Sequence, residues 1–323
     1  MFQQILEYLD GVPFFTTPAF GILALVIVGS SWCLVGLVMG DAPKKNIEPS
    51  LVQFCGALFS VGFSLMIMFA VSAYSTASPA ATFFTCLAYF LASMLNFTML
   101  QLMSQAMQCG PNGVIWAIIQ SALVFPFMVG ILFFGVKFTL LRGIGIVLLL
   151  AALPLFARAK DDRRGADGRK WKILAFSALG ITAVQQNLVT LPSYFEAAQG
   201  VPSIIRALVS AGGTLFMAVL WTLWRMDREH WAKLKSGFKN PTLWKYVVAL
   251  QFFNLFFAYT LFYPGMNIMA RAGLGGMSFP MMVGSCIVSF TLSSVWLLKE
   301  KVKGVQIAAL ALCIAGLILI CTQ

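Results

Sequence analysis

Stretches of about 20 mostly apolar residues recur along the whole chain, separated mainly by short loops. A helix of that length crosses the hydrocarbon core of a bilayer, so each stretch predicts one transmembrane helix. The predicted spans are 20–39, 51–72, 83–107, 112–134, 140–157, 171–191, 203–226, 243–262, 277–298 and 304–321. The sequence therefore predicts an all-α integral membrane protein with ten transmembrane helices.

The charged residues indicate how these spans are oriented. They make up 10% of the chain, against roughly 25% in a typical soluble domain. The net charge is +11, but the basic residues lie between spans, which favours contact with lipid headgroups over nucleic acid. Loops after odd-numbered spans hold 18 of the 22 lysines and arginines. The positive-inside rule then predicts a multi-pass protein of the cytoplasmic (inner) membrane with both termini outside.

Several function classes lack their usual residues. The seven cysteines form no CxxC pair and His230 is the one histidine, which argues against a metal site or a disulfide framework. No GxxxxGK[ST] loop is present to bind ATP. Paired carboxylates or a nucleophile with its base are also missing at the required spacing. We therefore predict that the protein is not an enzyme or a primary pump and uses no cofactor.

A charged segment, 158–170, divides the predicted spans five and five. We predict a first five-helix repeat at 20–157 and a second at 171–323, preceded by a prelude at 1–19. The prelude is either a short interfacial helix or a frayed tail. Because five is odd, the two repeats would be inverted in the membrane, as in many secondary transporters.

Two stretches, 110–156 and 274–320, share a Gly-rich entry, a long span, a tight polar turn and a shorter span. The later one contains "SSVWLLKEKVKGVQIAALALCIAGLILI" and resembles the end of a drug/metabolite transporter superfamily member of the EamA-like type. The earlier one resembles the end of that family's first repeat. The acidic turn residue typical of the repeat is Glu300, whereas the matching first-half position is Val136. The resemblance implies a ten-helix secondary carrier of small organic molecules.

The stretch "GLVMGDAPKKNIEPSLVQF" after span one resembles the rhamnose- and glucose-transporting branches of that superfamily. Sugars are therefore among the substrates that the resemblance implies. Membership alone names no substrate, because the superfamily also carries amino acids, nucleotide sugars and toxic cations.

Polar and aromatic side chains recur on the predicted spans at helical spacing. On span six, Thr182, Gln186 and Tyr194 lie on one face, because residues four apart are helical neighbours. Amides both donate and accept hydrogen bonds, and aromatic rings can cover the apolar face of a sugar. We predict that a polar substrate binds among residues of spans one, three, four, six and eight. These residues are Trp32, Asn96, Gln101, Trp116, Gln120, Gln185, Gln186, Asn187, Tyr194, Asn254, Tyr259, Tyr263 and Asn267.

Each of these residues has a structural alternative. Polar side chains also join packed helices, at roughly 0.6 kcal/mol apiece, and Trp32 or Trp116 could belong to a packed core. Small-residue steps at 210–213 and 311–315 predict close-packing seams. Pro126 is expected to interrupt span four, and Pro264 to mark the end of span eight.

Ionisable groups inside the spans are scarce. Glu196 lies just beyond span six and Arg206 at the start of span seven. The pair is a candidate for proton coupling or gating, and the alternative is an interfacial salt bridge in a short loop.

The leading hypothesis is a secondary active or facilitative transporter of a small polar metabolite, sugar-like, polyol-like or amino-acid-like, working by alternating access. Its partners would be that substrate, membrane lipids and, in a symporter, protons; it would act as a monomer or homodimer. One alternative is an exporter of amphipathic drugs or cations. Another is a lipid flippase or a membrane scaffold that transports nothing.

Overall fold

The computed structural model describes residues 16–71, 75–110, 112–160, 169–224, 228–298 and 304–321. Within these ranges the chain forms helices and no strand, so the all-α prediction is confirmed. Most of the 1–19 prelude, the centre of the charged segment 158–170 and the turn acid Glu300 lie outside the described residues.

The helix bounds follow the apolar stretches closely. The first helices are α1 (Pro18–Ser31), α2 (Cys33–Asp41), α3 (Pro49–Val71), α4 (Pro79–Cys109), α5 (Asn112–Gln120), α6 (Val124–Phe134) and α7 (Leu140–Lys160). The later helices are α8 (Lys170–Thr190), the short α9 (Glu196–Gln199), α10 (Ser203–Trp224), α11 (Arg228–Phe238), α12 (Pro241–Phe257), α13 (Tyr263–Arg271), α14 (Ser278–Leu298) and α15 (Gly304–Cys321).

The chain is a membrane protein. By length and composition, six helical segments of the described chain are long and apolar enough to cross a bilayer: Pro18–Met39, Pro49–Ala70, Pro79–Cys109, Lys170–Tyr194, Ser203–Trp224 and Pro241–Arg271. Shorter apolar segments include Ile118–Phe134 and Leu140–Leu155. Large apolar side chains such as Phe69 and Phe133 are about three-quarters exposed, as lipid-facing residues are.

Local sequence explains where several helices begin. Ser78 caps α4 by accepting a hydrogen bond from the Ala81 amide, and Asn240 caps α12 in the same way. In both helices the next residue is proline, whose fixed φ suits the first helical turn and whose missing N–H is not needed there.

Two prolines inside spans, Pro126 and Pro264, follow turns of altered helical hydrogen bonding and do not end the span. A 3-10 turn, Ser121–Leu123, lies just before Pro126, where the proline ring would crowd the preceding turn. A π-helical segment, Ala258–Phe262, lies before Pro264, and the chain then continues as α13. The prediction that span eight ends near Pro264 was wrong, because the wider π turn accommodates the proline within the helix.

The bundle has two ends, named here by their residues. At the Arg206 end α10 begins, and at the Lys45 end α2 leads into α3. Buried apolar side chains form one cluster that includes Leu25 and Met269, and a second that includes Ile47 and Trp171.

Glycines allow the closest helix crossings. A Cβ on Gly29 would fall inside the contact distance of the Met282 carbonyl oxygen, so α1 and α14 touch through their backbones. A Cβ on Gly145 of α7 would lie 2.7 Å from the Gly316 carbonyl oxygen of α15. A Cβ on Gly316 would lie at the same distance from the Gly145 carbonyl oxygen. The seam predicted at 311–315 was wrong in its face, because α15 packs through Gly316 and Ala309 while residues 311 and 315 are exposed.

Candidate functional site

A cavity of about 370 Å³ lies inside the bundle. Residues of α1, α2, α3, α4, α5, α8, α10, α12, α13 and α14 surround it. Eight of the thirteen predicted binding residues line this one space: Trp32, Asn96, Trp116, Gln120, Gln185, Gln186, Asn254 and Tyr263. A volume of this size falls in the range that holds a small-molecule ligand.

The cavity carries polar groups on a largely apolar wall and no charged side chain in its described lining. Its described lining contains amides, hydroxyls and aromatic rings but no aspartate, glutamate, lysine, arginine or histidine. Because a low-dielectric cavity gives an unpaired ion no compensation, such a lining suits a neutral or internally balanced solute.

Helix α8 places a polar stripe on the cavity. Thr182, Gln185, Gln186 and Val189 line it at the helical spacing of three and four residues. Gln186 is only 4% exposed, and its Oε1 has no hydrogen-bond partner among the described residues. A buried amide oxygen without a partner costs about 1–3 kcal/mol, so a ligand that donated a hydrogen bond to it would be favoured.

Helix α12 adds two further amides to the lining. Gln251 accepts a hydrogen bond of 2.5 Å from the Ser60 hydroxyl, which joins α12 to α3, and Asn254 lies one turn further. The aromatic wall comes from Trp32, whose ring lies 6.4 Å from the Phe262 ring and 6.2 Å from the Phe279 ring.

Other lining residues were missed by the sequence prediction. They include Gln53 and Ser60 on α3, Tyr89 on α4, Ser210 on α10 and Gln251 on α12. Gln53 and Ser60 share a face at a seven-residue spacing in an otherwise apolar helix, and this pattern could have identified them.

Five predicted residues do not line the cavity. Gln101 is buried against neighbouring helices with an unpaired Nε2, and the Tyr259 hydroxyl bonds to Ser64 on α3. Asn187 and Tyr194 line a separate, apolar groove of about 450 Å³ between α6 and α8. Asn267 instead accepts a hydrogen bond from Arg206.

Tyr194 closes one end of that groove by packing. Its ring stacks on the Phe134 ring with centroids 4.0 Å apart, beside Gly130 and Gly275. Its hydroxyl is buried and has no partner among the described residues.

Tyr194→Phe is therefore expected to keep the melting temperature in detergent or raise it slightly, because the change removes an unsatisfied buried hydroxyl. Tyr194→Ala is expected to cost about 3 kcal/mol through the lost ring packing. Thermal denaturation of both variants checks this. A decrease for the Phe variant as large as that for Ala would mean that the hydroxyl is engaged.

Arg206 is 1% exposed and bonded to neutral groups. Its guanidinium donates to the carbonyl oxygens of Ala198 (3.0 Å), Gln199 (3.2 Å) and Val201 (3.0 Å), and to Asn267 Oδ1 (3.1 Å). Glu196, its predicted partner, is exposed and is not among these acceptors.

Two aromatic rings, packed edge to face with their centroids 5.2 Å apart, lie together on one side of this guanidinium. Its carbon is 5.9 Å from the ring centroids of Tyr89 and of Tyr263, which line the cavity. Arg206 thus sits immediately beyond one end of the cavity and ties α10 to the α9 segment and to α13.

An exposed cluster holds the opposite end. Lys45 pairs with Asp41 at 2.7 Å and also donates to the Tyr246 hydroxyl at 2.9 Å. The hydrogen bonds to Asp41 and then to Tyr246 raise the pKa of Lys45. The cluster ties the end of α2 to the start of α12.

No protein-family model and no curated protein sequence matches this chain. Among solved structures, one described as "Crystal structure of protein" covers 93% of this chain and 94% of its own length, with a TM-score of 0.66 and 14% sequence identity. At this identity the similarity concerns the fold alone. The fold therefore occurs in another protein over almost its full length.

Proposed function

We propose that this chain is a secondary transporter of the drug/metabolite transporter superfamily. It would move a small polar metabolite, sugar-like, polyol-like or amino-acid-like, across the cytoplasmic membrane by alternating access. Ten spans would form two inverted five-helix repeats around the cavity, with the Lys45 end in the cytoplasm. The observation that carries the proposal is the uncharged cavity lined by amides from both halves, in which Gln186 Oε1 has no partner.

Matched helix starts support the inverted repeat. Pro49 and Ser50 begin α3, and Pro202 and Ser203 stand at the start of α10. A capping residue followed by proline begins both α4 and α12.

The packing of helices supports the same repeat. It would pair α1 and α2 with α8, α3 with α10, α4 with α12 and α13, α5 and α6 with α14, and α7 with α15. The contact of α4 with α8 then corresponds to that of α13 with α1, and the contact of α5 and α6 with α8 to that of α14 with α1. The helices α3 and α10 are partners in this pairing and contact each other, and so are α7 and α15. Such contacts would lie on the two-fold axis that relates the repeats.

The cavity lining repeats in register as well. The segment of α1 and α2 contributes positions 28, 31, 32, 35 and 39, and α8 contributes 182, 185, 186 and 189, which match the first four. The spacing is the same, but Trp32 in one half stands where Gln186 stands in the other. Near-symmetric backbones thus carry an aromatic wall and an amide wall, which suits a solute with one apolar and one polar face.

Gln186→Ala is expected to lower uptake of the cognate solute at least tenfold, because a lost hydrogen bond of about 1.4 kcal/mol lowers affinity by that factor. Purified protein would first be screened by thermal shift against sugars, polyols and amino acids. Counterflow in proteoliposomes with the solute that stabilises it most would then measure uptake.

Asn187→Ala is the matched control, since the neighbouring amide bonds to the Ala183 carbonyl oxygen and lines the separate groove. Its uptake should stay within about twofold of wild type. Equal uptake by the Gln186→Ala variant and the wild-type protein would show that Gln186 does not bind the solute. Stabilisation by amphipathic cations alone would favour the exporter, and no uptake of any solute with lipid scrambling would favour the flippase.

A further inference from the structure

The two residues of one interhelical hydrogen bond at the Arg206 end have counterparts at the Lys45 end in the proposed repeat. Arg206 of α10 donates to Asn267 of α13. Arg206 stands four residues after Pro202, and Gln53 stands four residues after Pro49. Gln53 is therefore the residue of α3 that corresponds to Arg206.

The partner positions correspond once the π-helical segment is counted. Asn267 lies 26 residues after Pro241, and Ser104 lies 25 residues after Pro79. The segment Ala258–Phe262 accounts for the difference, because a π turn adds one residue to an α-helix. Ser104 of α4 thus corresponds to Asn267.

Gln53 and Ser104 are buried but unsatisfied. They are 8% and 4% exposed, and neither Gln53 Nε2 nor Ser104 Oγ has a hydrogen-bond partner among the described residues. One atom is a donor and the other accepts, as in the Arg206–Asn267 bond. Buried polar atoms are rarely left unpaired in every state of a protein.

We propose that Gln53 and Ser104 form the gate at the Lys45 end. Gln53 Nε2 donates a hydrogen bond to Ser104 Oγ when that end closes and the Arg206–Asn267 bond opens. The inference rests on the transport function proposed above, because only a protein that alternates between two closed ends would form the two bonds in turn.

A second pair of contacts is present at both ends and does not alternate in this scheme. Tyr246, five residues after Pro241, bonds to Asp41, and Phe84, five residues after Pro79, packs edge-on against Phe195 with centroids 5.6 Å apart. Asp41 and Phe195 each lie thirteen residues beyond the first lining position of their helix, Val28 or Thr182. Both ends keep these outer contacts. The unpaired atoms therefore single out α3 and α4 as the helices that approach each other when the Lys45 end closes.

The different hydrogen-bond donors at the two ends also predict which end is closed more often. At the Arg206 end a charged guanidinium donates the interhelical bond to Asn267, whereas the Lys45 end would close through a neutral bond between Gln53 and Ser104. Hydrogen bonds from charged donors are roughly twice as strong as neutral ones. The resting protein is therefore expected to favour closure at the Arg206 end.

Spin labels at positions 46 and 108, both exposed at the Lys45 end, would measure this closure. In a chain whose seven cysteines are replaced, electron–electron distance measurements in nanodiscs should give a longer and a shorter separation. Gln53→Ala and Ser104→Ala should each lower the shorter-distance population about three- to fivefold, the effect of one hydrogen bond. Asn267→Ala should raise it by a similar factor.

Gln105→Ala is the matched control, because it removes a half-buried amide next to Ser104 whose counterpart makes no bond to Arg206. Its populations should equal those of the parent chain. If the Gln53 and Ser104 variants behave like this control while two separations and solute uptake are present, the gate assignment is wrong and the transport function stands. A single separation without uptake of any solute would overturn both.

Discussion

Gly29→Ala is expected to leave almost no folded protein in detergent. The added Cβ would overlap the carbonyl oxygen and Cα of Met282 and the Ser285 hydroxyl, where α1 crosses α14. The two Met282 atoms belong to the backbone, so no side-chain rotation relieves the clash with them and the two helices must separate. The expected cost exceeds about 4 kcal/mol, which is rare for a single methyl group.

Gly62→Ala is the control for that change. Gly62 is a helical glycine on an exposed face of α3, and a Cβ there meets nothing within 4 Å. This variant should gain about 0.5–1 kcal/mol from the lower entropy of its unfolded chain. Size-exclusion profiles and melting temperatures compare the two, and a folded Gly29 variant with an unchanged melting temperature would mean that α1 and α14 do not cross there.

Arg206→Ala has the second largest expected effect. It removes four hydrogen bonds and leaves three backbone carbonyls and the Asn267 amide without their donor. Each buried acceptor left without its donor costs about 1–3 kcal/mol, so the combined loss is expected to reach at least about 3 kcal/mol. We expect a clearly lower melting temperature and uptake reduced by more than about tenfold, because the Arg206 end no longer closes.

Arg206→Lys and Asn267→Ala separate charge from geometry. Lysine keeps the charge but cannot reproduce the planar set of donors, so it should recover only part of the stability. Asn267→Ala removes one bond of the four and should cost about 1–2 kcal/mol. Full recovery by lysine in both thermal denaturation and counterflow would show that the positive charge matters and the carbonyl contacts do not.

Helices were the part of the fold most readily predicted from sequence. Hydrocarbon leaves an isolated chain few ways to satisfy its backbone other than a helix, so apolar length alone located the segments within a few residues. The exception was the end of span eight. There Pro264 suggested a stop, and only the preceding π turn shows how the helix continues to Arg271.

The candidate site was predicted in part. Helical spacing placed Gln185 and Gln186 on the cavity face of α8, but it also drew in Tyr194, which packs on Phe134 elsewhere. Periodicity reports which residues share a face and not what that face meets. Gln53 was overlooked because one amide in an apolar helix is a weak signal, although Ser60 stands on the same face two turns later.

The sequence by itself determined that this chain lies in a membrane as helices, because the lengths and composition of its apolar stretches leave no soluble alternative. Only the tertiary structure decided which polar groups face one another. Arg206 has neutral partners from a short loop and from α13, 61 positions away along the chain, and its predicted partner Glu196 points to the surface. A change of a few tenths of an ångström in the distance between two polar atoms decides whether they form a hydrogen bond. Helix packing sets those distances.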